Sequence, residues 1–111
     1  MALTRNFRET IWARAQEDAK FREGLLAGGV ESMLSGDMDA GKSLLRDYIK
    51  ATIGFERLGA ETRLSPKSLI RMFGPEGNPQ ARNLFTIVAH LQQQAQVTLH
   101  VAAQRNGSSG R

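Results

Sequence analysis

Apolar residues recur at intervals of three and four over almost the whole chain, the spacing that lays one stripe along an α-helix. Phe7, Ile11 and Ala15, with Trp12 beside them, predict a first helix from about Thr4 to Gln16. Asp18 is placed to cap a second helix carrying Phe21, Leu25, Leu26, Met33 and Leu34. Gly28-Gly29 weakens it, because each Gly costs about 1 kcal/mol against Ala inside a helix. Gly36-Asp37 ends that unit, and a third helix, roughly Asp39 to Thr52, turns Leu44, Leu45, Tyr48 and Ile49 inward. The string Gly74-Pro75-Glu76-Gly77-Asn78-Pro79 breaks both regular structures and reads as a loop. Asn78 then reads as cap and Pro79 as first residue of a last helix that buries Leu84, Ile87, Val88 and Leu91. Only at Val97-Thr98-Leu99-His100-Val101 does the period drop to two, which predicts a short strand. One strand cannot satisfy its own ladder, so Val97, Leu99 and Val101 are expected to pair with a second copy or a partner protein.

Between the third and last helices, Gly54 to Phe73 reads as two short helices across a tight turn. Phe55, Leu58, Leu64, Leu69, Ile70 and Phe73 supply the apolar positions, while Gly59 and Ala60 keep the inner corner small. Ser65 suits the cap of the second short helix, and Pro66 its first turn, where a backbone N–H has no intrahelical partner anyway. Lys67, Ser68 and Arg71 then project outward. Small residues at a close crossing, an apolar inner stripe and a polar outer face are the parts of a helix-turn-helix. The expected fold is therefore all-α: a five-helix helix-turn-helix domain with a short C-terminal β-strand. A helical extension would occupy residues 1–35, the domain 36–102, and a disordered tail 103–111.

Charge sharpens that picture. Lys and Arg number 15 against 11 Asp and Glu, a formal net charge of +4. From Arg63 to Arg82, the cations Arg63, Lys67, Arg71 and Arg82 are opposed only by Glu76, so the cationic stretch coincides with the outward helix. Lys67 and Arg71, at i and i+4, share one face and can both reach one groove, where either can donate to guanine O6 and N7. Ser68 can serve a base or a phosphate. Arg63, Arg82 and Asn83 suit backbone phosphates, joined by N–H groups at the helix starts around Ser65 and Asn78.

Other chemistries find less support. Gly36-Asp37-Met38-Asp39-Ala40-Gly41-Lys42-Ser43 matches the phosphate-binding pattern G-x-x-x-x-G-K-[ST]. No buried strand precedes it, Asp37 and Asp39 would face the phosphates, and no alternation of strand and helix comes after it. It reads instead as a helix start capped by the two Asp, with Gly41 permitting close packing. The chain has no Cys, and His90 and His100 lack metal-ligand spacing, so no cofactor or metal is expected. No Ser has a nearby His to act as its base, and an enzyme is not expected. Glu56 and Glu61 read as solvated carboxylates. With no apolar run of about 18 residues and no apolar signal core, the chain is expected to be cytoplasmic and off the membrane.

The motif, together with Gly36-Asp37, Leu45-Arg46-Asp47-Tyr48-Ile49, Gly54-Phe55-Glu56-Arg57-Leu58, Ser65 to Phe73, Gly77-Asn78-Pro79 and Leu91 to Val101, resembles a known group. These are small helix-turn-helix regulators termed addiction-module antidote proteins, related to HigA-like antitoxins and the repressor/Cro-like class. The resemblance covers about Phe21 to Val101, and Gly-Asn-Pro is its most distinctive part. It implies a homodimer that binds double-stranded operator DNA and can also hold a toxin protein. The alternative is an antitoxin or adaptor whose main role is to neutralise that partner. Two departures stand out: Arg63 occupies the turn position where such motifs carry Gly, and Gly59 replaces the usual Ala.

Overall fold

The computed structural model describes the backbone of residues 2–106 and the side chains of residues 9–106. Phe7, expected on the inner face of the first helix, and residues 107–111 of the expected tail lie outside the described side chains and residues. Six helices occur in order: α1 (Ala2–Glu17), α2 (Ala19–Leu34), α3 (Met38–Ala51), α4 (Phe55–Thr62), α5 (Pro66–Met72) and α6 (Ala81–Ala95). The helical period thus reports the fold class correctly: the six helices among the described residues are the six segments read from the sequence, and the count of five was one short.

Local chemistry sets most boundaries. The Asp18 carboxylate accepts from Lys20 N at 3.0 Å and Phe21 N at 3.2 Å, capping α2. Asp37 does the same for α3 through Ala40 N at 3.1 Å. Arg22 reaches back from α2 to donate to Ala15 O at 2.8 Å and Gln16 O at 3.1 Å, satisfying carbonyls at the end of α1. Gly29, of the Gly28-Gly29 pair, has a packing reason. A Cβ on Gly29 would stand 2.8 Å from the Leu45 side chain, and one on Gly41 would stand 2.8 Å from Gly29 O. The two helices therefore cross in close contact, as expected of Gly41. The segment resembling a phosphate loop is the start of α3, preceded by helix, and its Lys42 is 5% exposed with Nζ donating to Gly77 O at 2.7 Å.

The core runs from Ala15, Leu25 and Leu26 through Leu45, Ile49 and Leu58 to Leu69, Phe73, Ile87 and Leu91. Two expectations need correction. The described residues contain no strand, and Val97 to Val101 has no regular structure. Gln96 ends α6 at a φ of 58°, and the chain folds back so that Leu99 N donates to Gln92 Oε1 at 2.8 Å. A side-chain amide takes the place of a ladder partner. Val97 and Leu99 pack on the chain's own core, and Val101 is 81% exposed. Period-two alternation marked which side faces in, not the hydrogen bonding. Likewise α6 begins after Gln80, not at Asn78-Pro79, and Gln80 makes no side-chain cap bond. Pro79 is instead half-buried against an apolar groove shared with Val30, Leu84 and Val88.

Candidate nucleic-acid interface

The α4–α5 corner is built from its sequence in three steps. Arg63 closes α4 in the left-handed region, at φ 64° and ψ 29°. Leu64 N then donates to Gly59 O at 3.2 Å, which draws the turn over the helix it has just left. A Cβ on Gly59 would stand 2.5 Å from Leu64 O and 3.2 Å from Pro66 Cδ, so only Gly lets the turn close this far. Ser65 starts α5: its Oγ accepts from Ser68 N at 3.0 Å and donates to Ser68 Oγ at 2.8 Å. Ser68 therefore keeps its own hydroxyl proton for an outside acceptor.

Leu69 and Phe73 anchor the helix in the core, both at 0% exposure. Opposite them, Lys67, Ser68, Ile70 and Arg71 are exposed. Ile70 was expected in the apolar stripe; at 53% exposure it stands among the polar residues of the outer face. Arg63 and Arg82 are also exposed, and Asn83 is half-buried in the first turn of α6. None of Arg63, Lys67, Arg71 or Arg82 makes an ion pair among the described residues. Asn78 is exposed in the loop and heads no helix.

That loop is held from behind. Arg46 Nη1 donates to Phe73 O at 2.9 Å, and Lys42 Nζ donates to Gly77 O at 2.7 Å. Two cations of α3 thereby tie down the C-terminal end of α5 and the turn after it. A Cβ on Gly77 would overlap the Arg71 and Met72 carbonyls, so the Gly of Gly-Asn-Pro is a requirement of close approach.

Glu61 lies behind the motif, exposed as expected but engaged by three side chains. It accepts from Arg57 Nε at 2.7 Å and Gln94 Nε2 at 3.0 Å, and lies 2.6 Å from His90 Nε2. The bond from Arg57, and after it that from His90, holds its carboxyl below the ordinary value. Through Glu61, α4 is fastened to α6. A carboxylate and a His on helices 29 residues apart give no local pattern, so sequence reasoning missed the link. It also missed the apolar groove, where Leu34 is 63%, Met38 39% and Phe85 61% exposed.

The chain matches no family model, no curated protein and no solved structure. The corner's own groups therefore carry the functional reading. An outward face of one Lys, one Arg, one free hydroxyl donor and one aliphatic side chain offers hydrogen-bond donors and an apolar contact to an acceptor-rich surface.

Proposed function

We propose that the chain is a sequence-specific, double-stranded DNA-binding regulator of the repressor-like helix-turn-helix type. It acts as a dimer, setting α5 of each copy into successive major grooves of a palindromic site, about 34 Å apart. The outer face of α5 carries the reading: Lys67, Ser68 and Arg71 are exposed, with no acidic partner to Lys67 or Arg71 among the described residues. Lys67 and Arg71 donate to guanine O6 and N7, Ile70 meets a thymine methyl, and Ser68 serves base or phosphate. Arg63, Arg82 and Asn83 hold phosphates and set register without reading sequence.

A mobility-shift titration against the DNA preceding the chain's own gene tests this, with a scrambled duplex as competitor. The wild type is expected to retard the specific duplex. Lys67→Ala with Arg71→Ala is expected to lose at least about tenfold in affinity, because each good base contact contributes about 1–3 kcal/mol. Equal binding by the double variant removes the assigned roles.

A second reading, a module that masks a partner such as a toxin, draws support from the groove rimmed by Leu34, Met38 and Phe85. Co-purification of a small chain that Phe85→Ser releases, with no DNA shift, is the outcome that favours it.

A further inference from the structure

A cleft of about 390 Å³ opens on the other side of α4, between the α1–α2 junction, the C-terminal end of α3 and the last turn of α6. Tyr48 lines it at 3% exposure. The Tyr48 carbonyl accepts from Thr52 Oγ1, but its hydroxyl makes no hydrogen bond among the described residues. The side chain is buried, but its oxygen is not sealed: it opens to the cleft, where an occupant can reach it. Burial pushes the hydroxyl's pKa up, with Arg22 working against that rise, so at neutral pH it is a proton donor.

The rim explains what it faces. Arg22 from α2 and Arg57 from α4 border the cleft, opposed there by Glu23 alone. Arg22 Nη1 is engaged by the Ala15 and Gln16 carbonyls, and Arg57 Nε by Glu61. Those bonds orient both guanidinium groups and leave further N–H donors on each. Ile53 and Leu91 contribute apolar wall. The lining offers guanidinium and hydroxyl donors beside one carboxylate, Glu23, and the volume sits near the low end of the roughly 300–1,000 Å³ typical of small-molecule sites.

We propose that this cleft binds a small organic carboxylate, its oxygens taken by the Tyr48 hydroxyl and the free N–H groups of Arg22 and Arg57, its hydrocarbon part against Ile53 and Leu91. The site belongs to the chain whether or not α5 enters DNA. Because Arg57 and its partner Glu61 both lie on α4, an occupant also touches the helix that supports α5.

The test is an NMR titration of the full chain with benzoate, phenylacetate and hexanoate, using benzamide and benzylammonium as controls of similar size. Saturable shifts at Ile53 and Leu91 are expected with the carboxylates and not with the controls. Tyr48→Phe keeps the ring and its packing, so it folds with an unchanged Tm while raising Kd about tenfold. Should that variant fail to fold, Arg57→Gln, at an exposed position, is expected to raise Kd likewise. No saturable shift with any carboxylate overturns the proposal. So does equal binding of benzamide, or an unchanged Kd in the folded variants. None of these readouts involves DNA, so failure here is distinct from failure of the DNA-binding reading.

Discussion

Arg63 holds a left-handed backbone that costs a residue with a Cβ roughly 1 kcal/mol, in the turn between α4 and α5. Arg63→Gly is accordingly expected to stabilise the fold by up to about 1 kcal/mol in urea unfolding, while weakening DNA binding through the lost phosphate contact. A single substitution would thus move stability and affinity in opposite directions. Glu61 gives a second test at this scale, through pH. Its folded pKa lies below the ordinary value of 4.5, so the stabilisation it brings is fully present above that pH. It is lost as pH falls through the lowered folded value. The Tm difference between wild type and Glu61→Gln should therefore be widest above pH 4.5 and shrink as the pH falls below it. A gap that stays constant over that range would show that the carboxylate's charge contributes nothing.

At the scale of elements, close crossings decide the architecture. Gly41→Ala would press a Cβ to 2.8 Å from a backbone oxygen of α2 and into the Met33 side chain. Met33 can move, but the Gly29 carbonyl cannot without shifting its helix. A loss of about 1–3 kcal/mol is expected in denaturant unfolding. Sequence made much of this legible. Three-and-four spacing located every helix, and Asp18, Asp37 and Ser65 announced their own starts, because a cap bonds within three residues of itself. What remained hidden depends on partners distant in sequence. The Glu61 grip on His90, and the Lys42 and Arg46 ties to the loop after α5, span 27 to 35 residues and leave no local trace. Val97 to Val101 failed for a related reason: alternation reports two faces, while a strand also needs a neighbour. Ile70 shows that an apolar letter beside a core position does not reveal on which side of a short helix it falls.

Across the whole molecule, a net charge of +4 says less than which cations are left unengaged. Lys42 and Arg46 donate to the loop, Arg22 caps α1, Arg57 pairs with Glu61, and Lys50 lies 5.4 Å from the Trp12 ring centroid. Arg63, Lys67, Arg71 and Arg82, on or beside the α4–α5 corner, have no ion pair among the described residues. Each such cation that meets a phosphate releases about one counterion, so affinity should depend on salt by a countable amount. Arg63 and Arg82 of both copies, the cations assigned to phosphates, give a slope of about −4 in log Kobs against log salt concentration. The decisive measurement is fluorescence anisotropy of a labelled duplex titrated with wild type and with Lys67→Ala/Arg71→Ala at several salt concentrations. The wild type is expected to bind with that slope, and the variant to keep the slope while losing at least about tenfold in affinity and its preference over a scrambled duplex. A slope near zero for the wild type, or an affinity and sequence preference that the double substitution leaves unchanged, would contradict a DNA-reading α5.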